Sequence, residues 1–369
     1  MKTISTLFIF LLLLSVSAFA TVRTVSNDPN NPAQYSSLQT AITAANAGDT
    51  IYVQATYVTL NSNGQIQNAG TNYGAININK KLTLIGSGYN PSQDIAYIST
   101  LGTVTFDTTV AQVGTTATGA SGSVISGFYI DGSIGVSGNY TNTARANNLT
   151  IERCWVNSEI YVMDNCNNTV VQQCVFYNSY FSNNTNLIIR NNIINGQVNL
   201  LYGGSNPVNC IITNNDFIGS VTAINTSAYT AFGGGPTNLI ITNNIFYSVD
   251  PTGAANSTYN NNITFANANP ALPPGTNVGS GNFANTNPTF VNYPLGSANY
   301  NPTYNFALAS GSPGKNAGTD GTDIGVYGGI GFVPSGAPNV PYIEHFVISN
   351  SSISVGQNLN VTIEAQAQK

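Results

Sequence analysis

Three polar residues at equivalent positions of successive sequence repeats are the catalytic candidates of this chain. Glu152, Gln172 and Arg190 take the outward central place in three consecutive copies of a short apolar phrase. A polysaccharide lyase needs an arginine or lysine base, with carboxylates that hold calcium. Arg190 is then the base and Glu152 the acid or ligand, with Gln172 binding the sugar. In the alternative, which we favour, Glu152 and Arg190 bridge through Gln172 on a solvated surface.

Aromatic residues beside the same strands are candidates for ligand binding. Trp155, Tyr177 and Tyr247 are predicted to face outward, where aromatic rings on a weakly charged surface can stack on sugars. The alternative is a set of single surface aromatics without a shared role.

Metal binding and histidine chemistry have little support in the sequence. Asp320 and Asp323, in GTDGTDIG, are weak candidates for a calcium ion, but their spacing does not match an EF-hand loop and turn-forming aspartates explain it. No other cofactor is predicted. The single histidine, His345, lies in the C-terminal tail, so histidine acid–base catalysis is not expected.

The candidates are carried by a repeated phrase. Residues 237–246 read TNLIITNNIF, and residues 208–217 and 185–194 read VNCIITNNDF and TNLIIRNNII. Apolar residues alternate within each copy, which is typical of a strand with one buried face. Copies begin roughly 20 residues apart, a period typical of solenoids. The first inward positions are Leu149, Thr169, Leu187, Cys210 and Leu239, and a second apolar strand begins at Val156, Phe176, Ile194, Phe217 and Phe246.

A two-residue corner separates the two strands of each copy, and asparagine fills both places in three copies. Asparagine tolerates left-handed backbone, and amides stacked on successive coils about 4.8 Å apart can form an asparagine ladder. Strand, corner, strand and variable loop predict an all-β fold, a single-stranded parallel β-helix. The corner pairs are Arg153-Cys154, Gln173-Cys174, Asn191-Asn192, Asn214-Asn215 and Asn243-Asn244.

The four cysteines are interpreted from this alignment. Cys154 and Cys174 take the second corner position on adjacent coils, where a disulfide is one interpretation and two buried thiols the favoured one. Cys210 replaces a core leucine and is expected to be packing. Cys166 lies in a loop and has no predicted partner.

The two ends of the solenoid need protection. A short helix with the apolar residues Leu38, Ala41, Ile42 and Ala45 is predicted as a lid over the first coil. The tail alternates like two or three antiparallel strands and is too short for an independent core, so we expect a C-terminal cap or a docking tail. The predicted segments are a signal peptide (1–20), the β-helix (21–331) with its capping helix (35–47), clearest coils (147–246) and closing segment (308–329), a Pro/Gly linker (332–341) and the β-rich tail (342–369).

Several motifs resemble a known family. The helix followed by GDTIYV (48–53), the segment KKLTLIGSGYN (80–90), and LASGSPGKNAGTDGTDIGVYGG (308–329) are similar to the opening and closing segments of secreted bacterial right-handed parallel β-helix proteins of the pectate-lyase-like superfamily. Ala55-Thr56-Tyr57 stands where Gly-Thr-Tyr is usual. The resemblance covers roughly residues 22–330 and implies the fold and bacterial export. The superfamily includes polysaccharide lyases and glycoside hydrolases.

Composition narrows the function classes. Only 6% of residues are charged and the pI is about 4.6, which argues against nucleic acid as a partner. The N-terminal apolar run is too short to span a bilayer and ends in Ala18-Phe19-Ala20, as in a secretory signal peptide, so secretion to the outside or outer surface of a bacterium is expected, with no membrane span afterwards. We predict a non-catalytic exported protein that presents an extended face to a polysaccharide or a cell-surface protein. The alternative is a polysaccharide lyase or glycoside hydrolase.

Overall fold

The structure is a computed structural model that describes residues 20–60, 66–68, 72–90, 97–107, 119–137, 146–162, 166–200, 207–219, 232–233, 235–297, 299–340, 342–348, 356, 358 and 361–366. The predicted signal peptide lies outside the described residues except for Ala20.

The body of the molecule is a parallel β-helix with three columns of stacked strands, and every ladder within these columns is parallel. The first column is a ten-stranded sheet. Its strands are β1 (Val22–Val25), β2 (Thr50–Val53), β7 (Thr83–Ile85), β11 (Val124–Ser126), β14 (Thr150–Glu152), β16 (Val170–Gln172), β18 (Ile188–Arg190), β21 (Ile211–Thr213), β24 (Ile240–Thr242) and β26 (Thr258–Asn260).

The second and third columns form one 13-stranded sheet, because two long strands belong to both. The second column is β9 (Thr100–Leu101), β12 (Tyr129–Ile130), β15 (Trp155–Val162), β17 (Val175–Phe181), β19 (Ile193–Ile194), β22 (Asp216–Ile218), β25 (Ile245–Tyr247) and β27 (Ile263–Phe265). The third is β6 (Ile76–Ile78), β10 (Val104–Asp107), β13 (Ile134–Ser137), the far ends of β15 and β17, β20 (Val198–Asn199) and β23 (Phe232–Gly233).

Four short antiparallel pairs lie outside the columns. They are β3 (Thr56–Tyr57) with β8 (Tyr97–Ile98), β4 (Thr59–Leu60) with β5 (Ile66–Asn68), β28 (Phe290–Asn292) with β29 (Asn305–Leu308), and β30 (Tyr342–Ile348) with β31 (Val361–Gln366).

The interior is filled by the positions that the repeat predicts. The five first inward residues of the aligned copies, from Leu149 to Leu239, are each at most 1% exposed. Helix α1 (Leu38–Ala44) begins after the N-cap Ser37 and buries Leu38, Ala41 and Ile42 against the first coils. The predicted parallel β-helix with an N-terminal helix and a C-terminal antiparallel segment is therefore confirmed.

The two corner residues have separate roles. The first adopts left-handed backbone, with φ between 51° at Arg153 and 58° at Asn243. The second points inward, and its side-chain amide donates to the next amide oxygen at 2.9 Å (Asn192 to Asn215), 3.0 Å (Asn215 to Asn244), 3.1 Å (Asn244 to Asn262) and 3.2 Å (Asn262 to Asn282). Each of these five asparagines also accepts from a backbone N–H of the preceding coil.

Cysteines extend this inward column toward the N-terminus. Cys154 and Cys174 are free buried thiols that donate to the carbonyl oxygens of Glu152 and Gln172, each at 3.2 Å. All four cysteines are free and buried in the structure. Burial raises the pKa of the Cys174 thiol and raises the pKa of Cys210 to about 12, so both remain protonated near neutral pH.

The first corner residues bind a segment that runs back along the β-helix, residues 317–339, which we call the return segment. It passes the corners in reverse order, and it includes most of the segment that was predicted as a linker. The side-chain donors pair with backbone carbonyls of the return segment as follows: Asn261 with Ala317 (2.8 Å), Asn214 with Gly325 (3.4 Å), Asn191 with Gly328 (2.6 Å), Gln173 with Gly331 (2.5 Å) and Arg153 with Ala337 (2.7 Å).

Candidate functional site

The catalytic candidates form a hydrogen-bonded row on the outer face of the first column. Gln172 donates from Nε2 to Glu152 Oε2 at 2.7 Å, and its Oε1 accepts from Nε and Nη2 of Arg190 at 2.9 and 2.7 Å. The row matches the bridged surface arrangement of the favoured alternative. Arg190 donates two hydrogen bonds to Gln172 and has no carboxylate at salt-bridge distance among the described residues.

Most of the outer face of the second column is covered by the C-terminal part of the chain. Tyr247 is 4% exposed and packs against Phe265, Phe290 and Tyr293. The prediction that Tyr247 presents its ring to a ligand is therefore wrong, because β28 and the residues after it cover that ring. An apolar cluster outside the β-helix results, so β22 and β25 are buried on both faces.

Asp216 lies inside this covered region and is fully buried. Its Oδ1 accepts from the backbone N–H of Val326 at 3.1 Å, and no described residue bonds to its Oδ2. Gly325 approaches so closely that a Cβ there would lie 2.5 Å from Oδ1. Burial raises the pKa of the Asp216 carboxyl well above its usual range.

The cover ends near Trp155, and a groove of about 290 Å³ opens there. Trp155 is half-buried and makes edge-to-face contacts with Tyr89, Tyr129 and Tyr300 at centroid distances of 6.4, 5.2 and 5.2 Å. Tyr177 is 42% exposed. The groove is lined by Trp155, Val156, Asn157, Val175, Phe176, Tyr177, Asn195, Asn299 and Tyr300, none of which is charged.

Polar and aromatic side chains continue from the groove along β15. Asn157 donates to Asp131 Oδ1 at 3.4 Å. Further along the strand, Glu159 accepts from the hydroxyls of Tyr161 and Tyr180. Rings, amides and carboxylates on one open surface are groups that bind carbohydrate hydroxyls.

Sequence reasoning found two of the groove residues, Trp155 and Tyr177, and missed Tyr300 and Asn299. These two precede β29 and lie outside the repeats, so no periodicity indicates their place. Tyr161 and Tyr180 carried a usable signal: they are 19 residues apart, close to the period of the adjacent copies.

The calcium candidates lie in a turn. Asp320 accepts from the backbone N–H and hydroxyl of Thr322 at 3.0 and 2.7 Å. Asp323 pairs with Lys315 at 2.7 Å and accepts from the Asn316 N–H at 3.0 Å. Within the described part of the chain, no group of three or more His, Cys, Asp or Glu residues could hold a metal ion, and no helix is long and apolar enough to cross a membrane.

Comparison with known proteins adds to the fold. An alginate lyase from Paenibacillus sp. str. FPU-7 has 13% identity and a TM-score of 0.30, with 72% of this chain and 99% of that chain covered. A mutant of the PL6 family alginate lyase AlyGC has 13% identity and a TM-score of 0.28, with 79% of this chain and 57% of that one covered. No protein-family model and no curated protein matches the chain. The strand pairing of the chain itself makes it a parallel β-helix protein.

Proposed function

We propose that this chain is an exported β-helical protein that binds a polysaccharide in the groove at Trp155, Tyr177 and Tyr300. The groove carries this proposal because it combines the exposed ring of Tyr177 and the half-buried rings of Trp155 and Tyr300 with three side-chain amides, from Asn157, Asn195 and Asn299. Rings stack on the apolar faces of sugars, and amides both donate to and accept from hydroxyls. Export rests on the signal peptide read from the sequence.

The positions of the cations favour binding over cleavage of an acidic sugar. Six of the nine lysines and arginines lie among the described residues, and none of the six lines the groove. A lyase acting on a uronate needs a base and a positive group near the sugar carboxylate. The described cations lie elsewhere: Arg23 beside Asp49, Lys80 on the carbonyls of Thr43 and Ala45 at the C-terminal end of α1, Lys81 next to β7, Arg153 on the return segment, Arg190 on Gln172 and Lys315 on Asp323.

Polysaccharide cleavage is the second candidate function. It is favoured by one observation, the presence of two carboxylates, Asp131 and Glu159, on the open surface beside the groove. A glycoside hydrolase acts through a pair of carboxyl groups on either side of the scissile bond. The two solved structures compared above are named as alginate lyases.

The test is a binding and turnover experiment with the purified mature protein. Affinity electrophoresis and calorimetry are run with neutral, amino-bearing and uronate polysaccharides, and reducing ends and unsaturated products are followed with and without calcium. We expect binding that Tyr177→Ala weakens about fivefold, because one exposed ring is lost. Tyr52→Ala, on the outer face of the first column, is the matched control. Binding unchanged in Tyr177→Ala refutes the groove, and turnover lost in Glu159→Gln establishes the second candidate.

A further inference from the structure

Two stacked tyrosines form a flat surface beyond the groove. Tyr161 and Tyr180 are register partners on β15 and β17, and their rings stack at 5.0 Å with an interplanar angle of 10°. Tyr161 follows Trp155 by six residues on the same strand, which corresponds to about 20 Å at roughly 3.3 Å per residue. Since β15 passes from the second column into the third between these residues, the tyrosine pair lies on the adjoining face of the β-helix, at most about 20 Å from the groove along the strand.

The coil before Tyr161 leaves the ring uncovered at the matching position. The register partner of Tyr161 on β13 is Gly135, and a Cβ built on this glycine meets no atom of the described residues within 4 Å. A side chain there would be the next layer of the stack. Among the described residues, none therefore covers this face of the Tyr161 ring, where a flat ligand can stack.

Glu159 fixes the edge of this surface. Its two carboxylate oxygens accept from different hydroxyls, Oε2 from Tyr161 and Oε1 from Tyr180 at 3.3 Å. The two bonds hold both rings in register and place a negative charge beside them. Each carboxylate oxygen has a further lone pair for a donor from a ligand.

The described charged residues on this surface are all acidic. Asp131 and Glu159 lie along it, and Asp107 ends β10, which is separated from β15 by β13. Within the described parts of the second and third columns, no strand contains a lysine or arginine. Lys2, Arg145 and Lys369, the remaining cations, lie outside the described residues. A sugar that carries a carboxylate is repelled here, and one that carries hydroxyls or an ammonium group is attracted.

We propose that Tyr161 and Glu159 form a second sugar-binding subsite, which selects neutral or amino-bearing sugars against uronates. This inference rests on the proposed function, since it assigns the far end of the same bound chain. Tyr161 supplies the stacking face, and Glu159 accepts from a hydroxyl or ammonium group of the sugar. The protein is thereby assigned to neutral or cationic polysaccharides.

Calorimetry with oligosaccharides of equal length tests the subsite. The probes are a neutral glucan, a deacetylated chitosan fragment and an alginate fragment, each at low and high salt. We expect the alginate fragment to bind at least about fivefold more weakly than the chitosan fragment at low salt, with the gap narrowing at high salt. Tyr161→Ala should weaken binding of the neutral glucan about fivefold.

Glu159→Gln separates charge from stacking, because it keeps the shape and a hydrogen-bond acceptor. This variant should reduce the preference for chitosan over alginate about fivefold, because the charge that separates the two probes is removed. Circular dichroism and the melting temperature check that each variant is folded. Suppose that wild type binds a glycan and that Tyr177→Ala weakens this binding. If Tyr161→Ala and Glu159→Gln then bind like wild type, the subsite is refuted and the groove stands. If wild type binds none of the three probes, both proposals fail.

Discussion

Replacing Asp216 by asparagine should stabilise the protein at neutral pH and remove a pH dependence. The carboxyl is fully buried, and only one of its oxygens has a partner among the described residues, the Val326 N–H. Burial raises the pKa, so the folded state holds a proton that the unfolded state releases. The contribution of Asp216 to the free energy of unfolding is therefore most favourable below its unfolded pKa of about 4. It falls as the pH rises toward the folded pKa.

The size of the effect follows from the span of pH over which the proton is retained. Each pH unit above the unfolded pKa lowers the free energy of unfolding by about 1.4 kcal/mol while the buried acid stays neutral. Between about pH 4 and pH 7 this amounts to at most about 4 kcal/mol. Asparagine keeps the oxygen that accepts from Val326 and never ionises, so Asp216→Asn avoids this loss. At pH 4 the two proteins should agree within about 1 kcal/mol.

Urea denaturation of wild type and Asp216→Asn at several pH values between 4 and 8 measures the difference. The titratable groups that face Asp216 from the covering residues are Tyr293 and Tyr327, whose pKa values are raised, so they stay neutral in this range. The pKa of Asp49 is lowered to about 2, so this residue makes the free energy of unfolding decrease as the pH falls, only at acid pH. This effect is the same in both proteins. A difference that stays constant from pH 4 to 8 would refute the argument.

Two further outcomes concern the two rows of polar side chains. Asn215→Ala should reduce the free energy of unfolding by about 3 to 5 kcal/mol, since the backbone N–H of Asn192 and the carbonyl of Ile189 lose a buried partner. The exposed Asn79→Ala, at a position without left-handed backbone, is the control and should change it by less than about 1 kcal/mol, with both measured by urea denaturation. Arg190→Ala should change stability by less than about 1 kcal/mol and leave glycan binding and any turnover intact; lost turnover would restore the catalytic assignment.

The β-helix was predictable because its determinants are local. Alternating apolar residues set the inward face, and the corner asparagines indicate left-handed backbone, both within one ten-residue copy. The covering of the outer face was not predictable in this way. Asp216 and Val326 are 110 residues apart, and nothing in the phrase around Asp216 differs from a surface position. Tyr247 was misassigned for the same reason, since its outward position follows from the repeat but its cover does not.

The differences among the repeats can be explained by the return segment. Where the return segment passes close to the corners, asparagine side chains donate to its backbone carbonyls, as at Asn191 and Asn214. Gln173 and Arg153 take the same left-handed position with longer side chains and bind Gly331 and Ala337. Residues that look like degenerate copies therefore hold the C-terminal part of the chain in place.

The location of the open surface follows from this covering. The second column is hidden from Asp216 onward, and it becomes open at Trp155 and Tyr177, where the residues around Tyr300 end the cover. The strands that leave this surface, β15 and β17, are also the two that join the second and third columns. A ligand bound there contacts two strands that pair with each other at six positions, which favours a preorganised binding face over a mobile one.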